Sequence, residues 1–195
     1  MRSPAGLRVG ALVLAAGSGT RFGEPKQFLQ LSPGVRLVDV ALQTMLRVAE
    51  EVVLVLPRGL LADGSPWDGA AVTAVVSGGV SRLDSVRSGL ALLGPCDVVL
   101  VHDAGHPLAT VSTADAVIAA VAQGADAAVP FLPVVDVLKR IRPDGSLETA
   151  GRDGLGQAQT PHGFKADVLR TIHETDTPDR GMAWEGPLVV LTSKF

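Results

Sequence analysis

Arg8-Val9-Gly10-Ala11-Leu12-Val13-Leu14-Ala15 runs without a break into Ala16-Gly17-Ser18-Gly19-Thr20. An apolar run of this length with no polar alternation is what a strand covered on both faces looks like. The glycines behind it mark a turn whose main-chain N–H groups can close on an anion without interference from a Cβ. Outward from this stretch the pattern repeats. Residues 35–48 carry Val35, Val38, Leu42, Met45 and Leu46 at helical spacing. Residues 51–56 and 71–76 read as further strands, the first stopped by Pro57. Residues 81–93 are predicted helical, with Leu83, Val86, Leu90 and Leu93 on one face. Residues 97–101 and 127–131 are strands, and the helix predicted between them at 112–123 has Ser112 or Thr113 as its cap. Alternation of this kind predicts a Rossmann-like α/β fold: a doubly wound, mostly parallel sheet with helices on both faces. In such sheets a ligand sits beyond the carboxyl ends of the strands. The loops after Leu14, Val76 and Val101 leave such ends, and they hold the unusual residues of the chain.

Residues 134–160 differ. Their helical period is weak, and Pro143-Asp144-Gly145 is a turn signature between two extended pieces. They are predicted to form a projecting β-arm. Val134, Val135, Val137, Leu138 and Ile141 on that arm need cover, which a second copy supplies through symmetric pairing. A homodimer is therefore expected. No repeat, low-complexity tract or linker divides the chain, so residues 1–195 are read as a single domain.

Composition narrows the function. Of 195 residues 47% are hydrophobic and 19% charged, the reverse of what disorder needs. No apolar run approaches the roughly 18 residues of a membrane span, and no secretory leader is read at the start. The net charge of −3, the absence of a basic stripe and the absence of Tyr argue against nucleic acid as a partner. Cys96 stands alone, which excludes an intramolecular disulfide and, with no leader, points to a cytoplasmic setting. His162 and His173 show no ligand spacing, so no transition-metal site is expected; Asp176 and Asp179 read as solvated charges.

The glycine loop fits neither common phosphate fingerprint. The third glycine place of Gly-x-Gly-x-x-Gly holds Phe22, and Gly-Lys-Ser/Thr is absent. What remains is a glycine turn followed by Arg21 and Lys26, cations suited to a triphosphate; a plain strand-to-helix turn with two solvated cations is the alternative. For Arg82 and Ser85 an exposed helix turn and its cap is the alternative reading, and for Asp103 a helix cap. His102 is read as structural rather than catalytic.

Taken together, Leu14-Ala-Ala-Gly-Ser-Gly-Thr-Arg21 and Pro25-Lys-Gln-Phe28 resemble the 2-C-methyl-D-erythritol 4-phosphate cytidylyltransferases of isoprenoid synthesis, with the ribitol 5-phosphate cytidylyltransferases as close relatives. Gly78-Gly79-x-x-Arg82-x-x-Ser85-Val86, Val101-His102-Asp103-Ala104, Pro133-x-x-Asp136 and Gln159-Thr160-Pro161-x-x-Phe164 follow in the family's order. The resemblance implies transfer of CMP from CTP to a small alcohol phosphate, 2-C-methyl-D-erythritol 4-phosphate foremost, with Mg²⁺ assisting and pyrophosphate leaving. It implies Arg21 and Lys26 as the catalytic cations. It places CTP against Ala15, Ala16, Gly17, Ser18, Gly19, Gly78, Gly79, Arg82, Ser85, Asp103 and Ala104, with Asp103 also near the metal. Asp136 and Arg152 would meet the acceptor, Arg152 from a neighbouring subunit.

The chain departs from the family pattern on the acceptor side. His106 stands where the family has an arginine, Val137 where it has a threonine, and neither the C-terminal Asn-Ile-Lys-x-Thr strand nor the acidic segment before it is cleanly present; Lys194 is not placed on the family's lysine, and Thr177-Pro-Asp-Arg-Gly181 stands where the acidic segment would be. These differences leave open another polyol phosphate or a phosphonate as acceptor, or a CTP-binding homologue with little or no turnover. A nucleotide-binding oxidoreductase is opposed by the broken fingerprint.

Overall fold

The structure is a computed structural model that describes residues 6–17, 25–62, 67–69, 71–174 and 188–192, without the side chains of 61, 62 and 188–192. The expectations for Ser18, Gly19, Arg21, Asp176, Asp179, Lys194 and the 177–181 segment fall outside these residues.

In chain order come β1 (Val9–Leu14), a 3-10 turn (Lys26–Phe28), β2 (Gln30–Ser32), β3 (Val35–Arg36), α1 (Leu37–Val48), β4 (Glu51–Leu56), α2 (Arg58–Ala62), β5 (Ala74–Ser77) and α3 (Arg82–Leu92). Then follow β6 (Val98–Asp103), α4 (Val111–Ala122), β7 (Ala127–Pro133), β8 (Leu138–Ile141), β9 (Leu147–Ala150), β10 (Gly156–Ala158), β11 (His162–Lys165), α5 (Ala166–Glu174) and β12 (Leu188–Thr192). The main sheet runs β5-β4-β1-β6-β11-β7-β10, and β12 also pairs with β7, off this path. β5, β4, β1 and β6 are parallel neighbours and β12 is parallel to β7, whereas β11 and β10 run antiparallel to theirs.

Every residue of β1 is buried, as the unbroken apolar run requires. Ala11 and Val13 face a core shared with α1 and α4; Leu12 and Leu14 face one shared with Val86 and Leu90 of α3 and Leu169 of α5. The chain moves from β1 outward to β4 and β5, then crosses back to β6 on the other side of β1. The carboxyl ends of β1 and β6 therefore flank the topological switch point, where the crevice of an open α/β sheet forms.

Local differences from the sequence reading have simple causes. α1 begins at Leu37 because Val35 and Arg36 pair with β2, and Leu46 faces solvent one step off the buried Leu42–Met45 stripe. Thr110, not Ser112 or Thr113, caps α4: its hydroxyl accepts from the Thr113 amide at 3.2 Å, whereas Ser112 and Thr113 already lie inside the helix. The third strand is shifted to Ala74–Ser77. The arm is a β8–β9 hairpin, turned at Gly145 (φ 82°) with the Arg142 amide donating to Ser146 O at 3.0 Å. Residues 156–158 do not project but return to the main sheet as β10.

Candidate active site

The loops after β1, β5 and β6 converge on one cleft of about 680 Å³ at the switch point. Leu14–Gly17 and Lys26 form one wall, Gly79–Arg82 with Ser85 a second, and Asp103, Gly105 and His106 the third. Of the residues singled out in the sequence, Ala15, Ala16, Gly17, Lys26, Gly79, Arg82, Ser85 and Asp103 thus meet in one place. Gly78 and Ala104 lie just beneath. Asp136 and Arg152 do not reach this cleft: both are on the exposed arm side, where Arg152 Nη1 donates to the Val135 carbonyl.

Backbone registry sets the geometry. Leu14 pairs with Asp103 across β1 and β6, and the Ala104 amide donates to Leu14 O at 2.9 Å. A Cβ on Gly78 would stand 2.4 Å from the Ala16 Cβ and 2.8 Å from Ser85 Oγ, so only glycine lets the β5 loop approach the β1 loop this closely. Ser85 Oγ accepts from the Gly79 amide at 3.2 Å and donates to Ser81 O at 3.0 Å, so this serine pins the second glycine loop to α3. Ser81 caps α3 in a reciprocal box with Asp84, whose carboxyl is held below the usual range by hydrogen bonds from Ser81.

Across the cleft Arg82 grips Asp103 with a fork: Nε to Oδ1 at 3.2 Å and Nη2 to Oδ2 at 3.2 Å. Both side chains are more than a third exposed, so the pair is worth at most about 1 kcal/mol and is easily exchanged for a ligand. Lys26 extends over Gly105, with Nζ 3.2 Å from where a Cβ on that glycine would be.

Asp103 is held from behind by Thr160, which the sequence reading quoted but gave no role. The Thr160 hydroxyl donates to Val101 O at 3.2 Å and accepts from the Asp103 amide at 3.2 Å. The hydroxyl also meets His102 Nδ1 at 3.0 Å, the ring tautomer deciding which of the two donates. His102 is a fully buried ring whose Nε2 meets no partner among the described residues. Nothing local in the sequence links Thr160 to β6; the contact spans 58 residues.

Burial pushes the His102 pKa down from 6.5 to about 4, and burial also lowers those of His162 and His173. The sign follows directly: between pH 6.5 and 4 the unfolded chain binds protons that the folded chain refuses. The His102 contribution is whole above pH 6.5 and falls as pH drops, levelling off below about pH 4, for a loss on the order of 3 kcal/mol. Denaturant titrations across this window are expected to show the loss, and His102→Asn, which keeps a hydrogen-bonding group toward Thr160, is expected to reduce it. An unchanged pH slope in that variant contradicts the assignment.

A second cavity of about 420 Å³ shares Gly105 and His106 with the cleft and continues toward Leu108, Leu132 and Thr160. His106 thus stands between the two spaces. Among the described residues no group of three or more His, Cys, Asp or Glu side chains gathers to hold a metal. Asp103 alone, at the cleft wall, suits a hard cation that brings most of its ligands as water and substrate phosphate.

Comparison with known proteins identifies the family. Residues 9–187 match the family model for 2-C-methyl-D-erythritol 4-phosphate cytidylyltransferase. The chain is 40% identical over 192 residues to the 2-C-methyl-D-erythritol 4-phosphate cytidylyltransferase of Streptomyces avermitilis, covering 90% of this chain and 77% of that one. It is 44% identical over 176 residues to the bifunctional enzyme IspD/IspF of Clavibacter michiganensis, covering 84% of this chain and 43% of the longer relative. The crystal structure of 2-C-methyl-D-erythritol 4-phosphate cytidylyltransferase from Thermus thermophilus superposes with a TM-score of 0.76 at 30% identity, over 96% of this chain and 89% of that one. The chain belongs to the 2-C-methyl-D-erythritol 4-phosphate cytidylyltransferase family and is a CTP-dependent nucleotidyltransferase.

Proposed function

We propose that the protein transfers CMP from CTP to 2-C-methyl-D-erythritol 4-phosphate in the cytoplasm. An acceptor phosphate oxygen attacks the α-phosphorus, the bond to the β-phosphate oxygen breaks, and pyrophosphate leaves. The observation that carries this reading is the convergence of Lys26, Arg82 and Asp103 with the glycine loops on one cleft. No protein nucleophile is needed, since phosphoryl-type transfer rests on positioning and on charge stabilisation. Lys26 and Arg82 face the triphosphate; the main chain of Ala15–Gly17 and Gly78–Gly79 leaves room for it. The family uses a divalent cation; Mg²⁺ held by Asp103 would neutralise phosphate charge here. Pyrophosphate release with CTP, ATP, GTP and UTP against a panel of alcohol phosphates tests the proposal. Release with CTP and methylerythritol phosphate supports it; release with another nucleotide, or none with any acceptor, opposes it.

A different acceptor is the second reading, favoured by His106 at the junction of the two cavities. The same panel separates the two.

We also propose a homodimer through the arm, with Asp136 and Arg152 serving the partner's acceptor site. Val135, Val137, Ile141 and Leu147 are each about two-thirds or more exposed on one protomer, an apolar surface that a second copy would cover. Sedimentation at micromolar concentration is expected to show dimer. A pure monomer removes the role of Arg152 in trans.

A further inference from the structure

We propose that Gln27 is a positioning residue for this reaction: its carboxamide clips the two ends of the glycine loop together and so fixes where Lys26 stands. The inference rests on the catalytic reading of Lys26 above. Gln27 is a buried polar side chain, 6% exposed, at the centre of the Lys26–Phe28 turn. Its Nε2 donates to Ala15 O at 2.7 Å and to Gly17 O at 2.8 Å. Both protons of one amide group are thereby spent on two carbonyls at the loop's start. The Ala15 amide donates to Val55 O at 2.8 Å, so this residue is tied on one side to β4 and on the other to Gln27.

The other end of the loop is equally constrained. The Phe28 amide donates to Pro25 O and the Leu29 amide to Lys26 O, each at 3.0 Å, and Phe28 packs on the α1–α4 core. Gln27 cannot shift within that closed turn without carrying Lys26 along. The Lys26 side chain then crosses to Gly105, in the turn that follows β6, the strand beside β1. The clip therefore sets the distance between the lysine and the ends of β1 and β6, where the phosphates are expected. Glutamine suits the task because one nitrogen supplies two donors. Glutamate would set a carboxylate against two carbonyls, and methionine fills a similar volume with no donor.

The test is a double-mutant cycle in kcat and CTP KM with Gln27→Met, Lys26→Ala and both together. Gln27→Met is expected to lower kcat about ten- to a hundredfold, as displacement of a catalytic group does, with CTP KM changed less than about threefold. On the Lys26→Ala background the same change is expected to cost less than about twofold, because its effect runs through the lysine. Independent, multiplying effects overturn the inference while leaving the role of Lys26 intact. A Lys26→Ala protein at full rate instead overturns the underlying reading. If Gln27→Met does not fold, Gln27→Asn replaces it: the amide is kept but is one methylene too short to span both carbonyls, and the same non-additivity is expected.

Discussion

Lys26→Ala is expected to slow turnover by about two to three orders of magnitude, as loss of one preorganised transition-state donor does. CTP affinity is expected to fall less. Pro25, at φ −65°, leads into the closed turn that carries Lys26, so the lysine is anchored at its base although its head is exposed. A point-charge ammonium is worth most where oxygen charge grows during the reaction. Arg82, Gly17 and Gly79 also line the cleft, and in the proposed site they would still hold the ground-state triphosphate. Turnover and CTP affinity measured on the same variant decide the matter. Equal losses make Lys26 a ground-state anchor, and no loss in either places the chemistry elsewhere.

The double replacement His106→Arg with Val137→Thr is expected to raise turnover on methylerythritol phosphate by about tenfold or more. A guanidinium fork on a phosphate contributes charge-assisted hydrogen bonds worth about 1.5–3 kcal/mol, a bidentate geometry that an imidazole cannot offer. The two positions act differently. His106 lines the cleft, whereas Val137 is exposed on the arm and does not line it; in the dimer proposed above it would meet the partner's cleft. His106→Arg is thus expected to act alone and Val137→Thr only in the dimer. A wild-type rate that neither change improves shows that the chain has compensated for these departures.

The parts of this molecule that a sequence displays locally were legible in it. The β1 run was readable because burial on both faces leaves no polar positions, and the Glu51–Leu56 strand for the same reason. Because strand ends in a doubly wound sheet share one rim, naming the loops after β1, β5 and β6 also placed the cleft. The hairpin was announced by its Pro-Asp-Gly turn, but its far limit was not: residues 156–158 are pulled into the sheet by pairing with β7, a long-range contact without local signature. The same holds for Thr160 behind Asp103 and for Gln27 across the loop, both bound to main-chain groups far away in sequence. The cap of α4 was misplaced because Thr110, Ser112 and Thr113 are all competent, and only the helix start decides among them.

Phosphorus NMR of a reaction holding the protein, CTP, Mg²⁺ and 2-C-methyl-D-erythritol 4-phosphate tests the central claim most directly. The account predicts the coupled diphosphate signals of a CDP-alcohol, rising in step with pyrophosphate. Neither should appear when CTP or the acceptor is omitted, and both should be strongly slowed by Lys26→Ala. CTP that stays intact beside every alcohol phosphate offered, or that is hydrolysed without a CDP-alcohol, would contradict it.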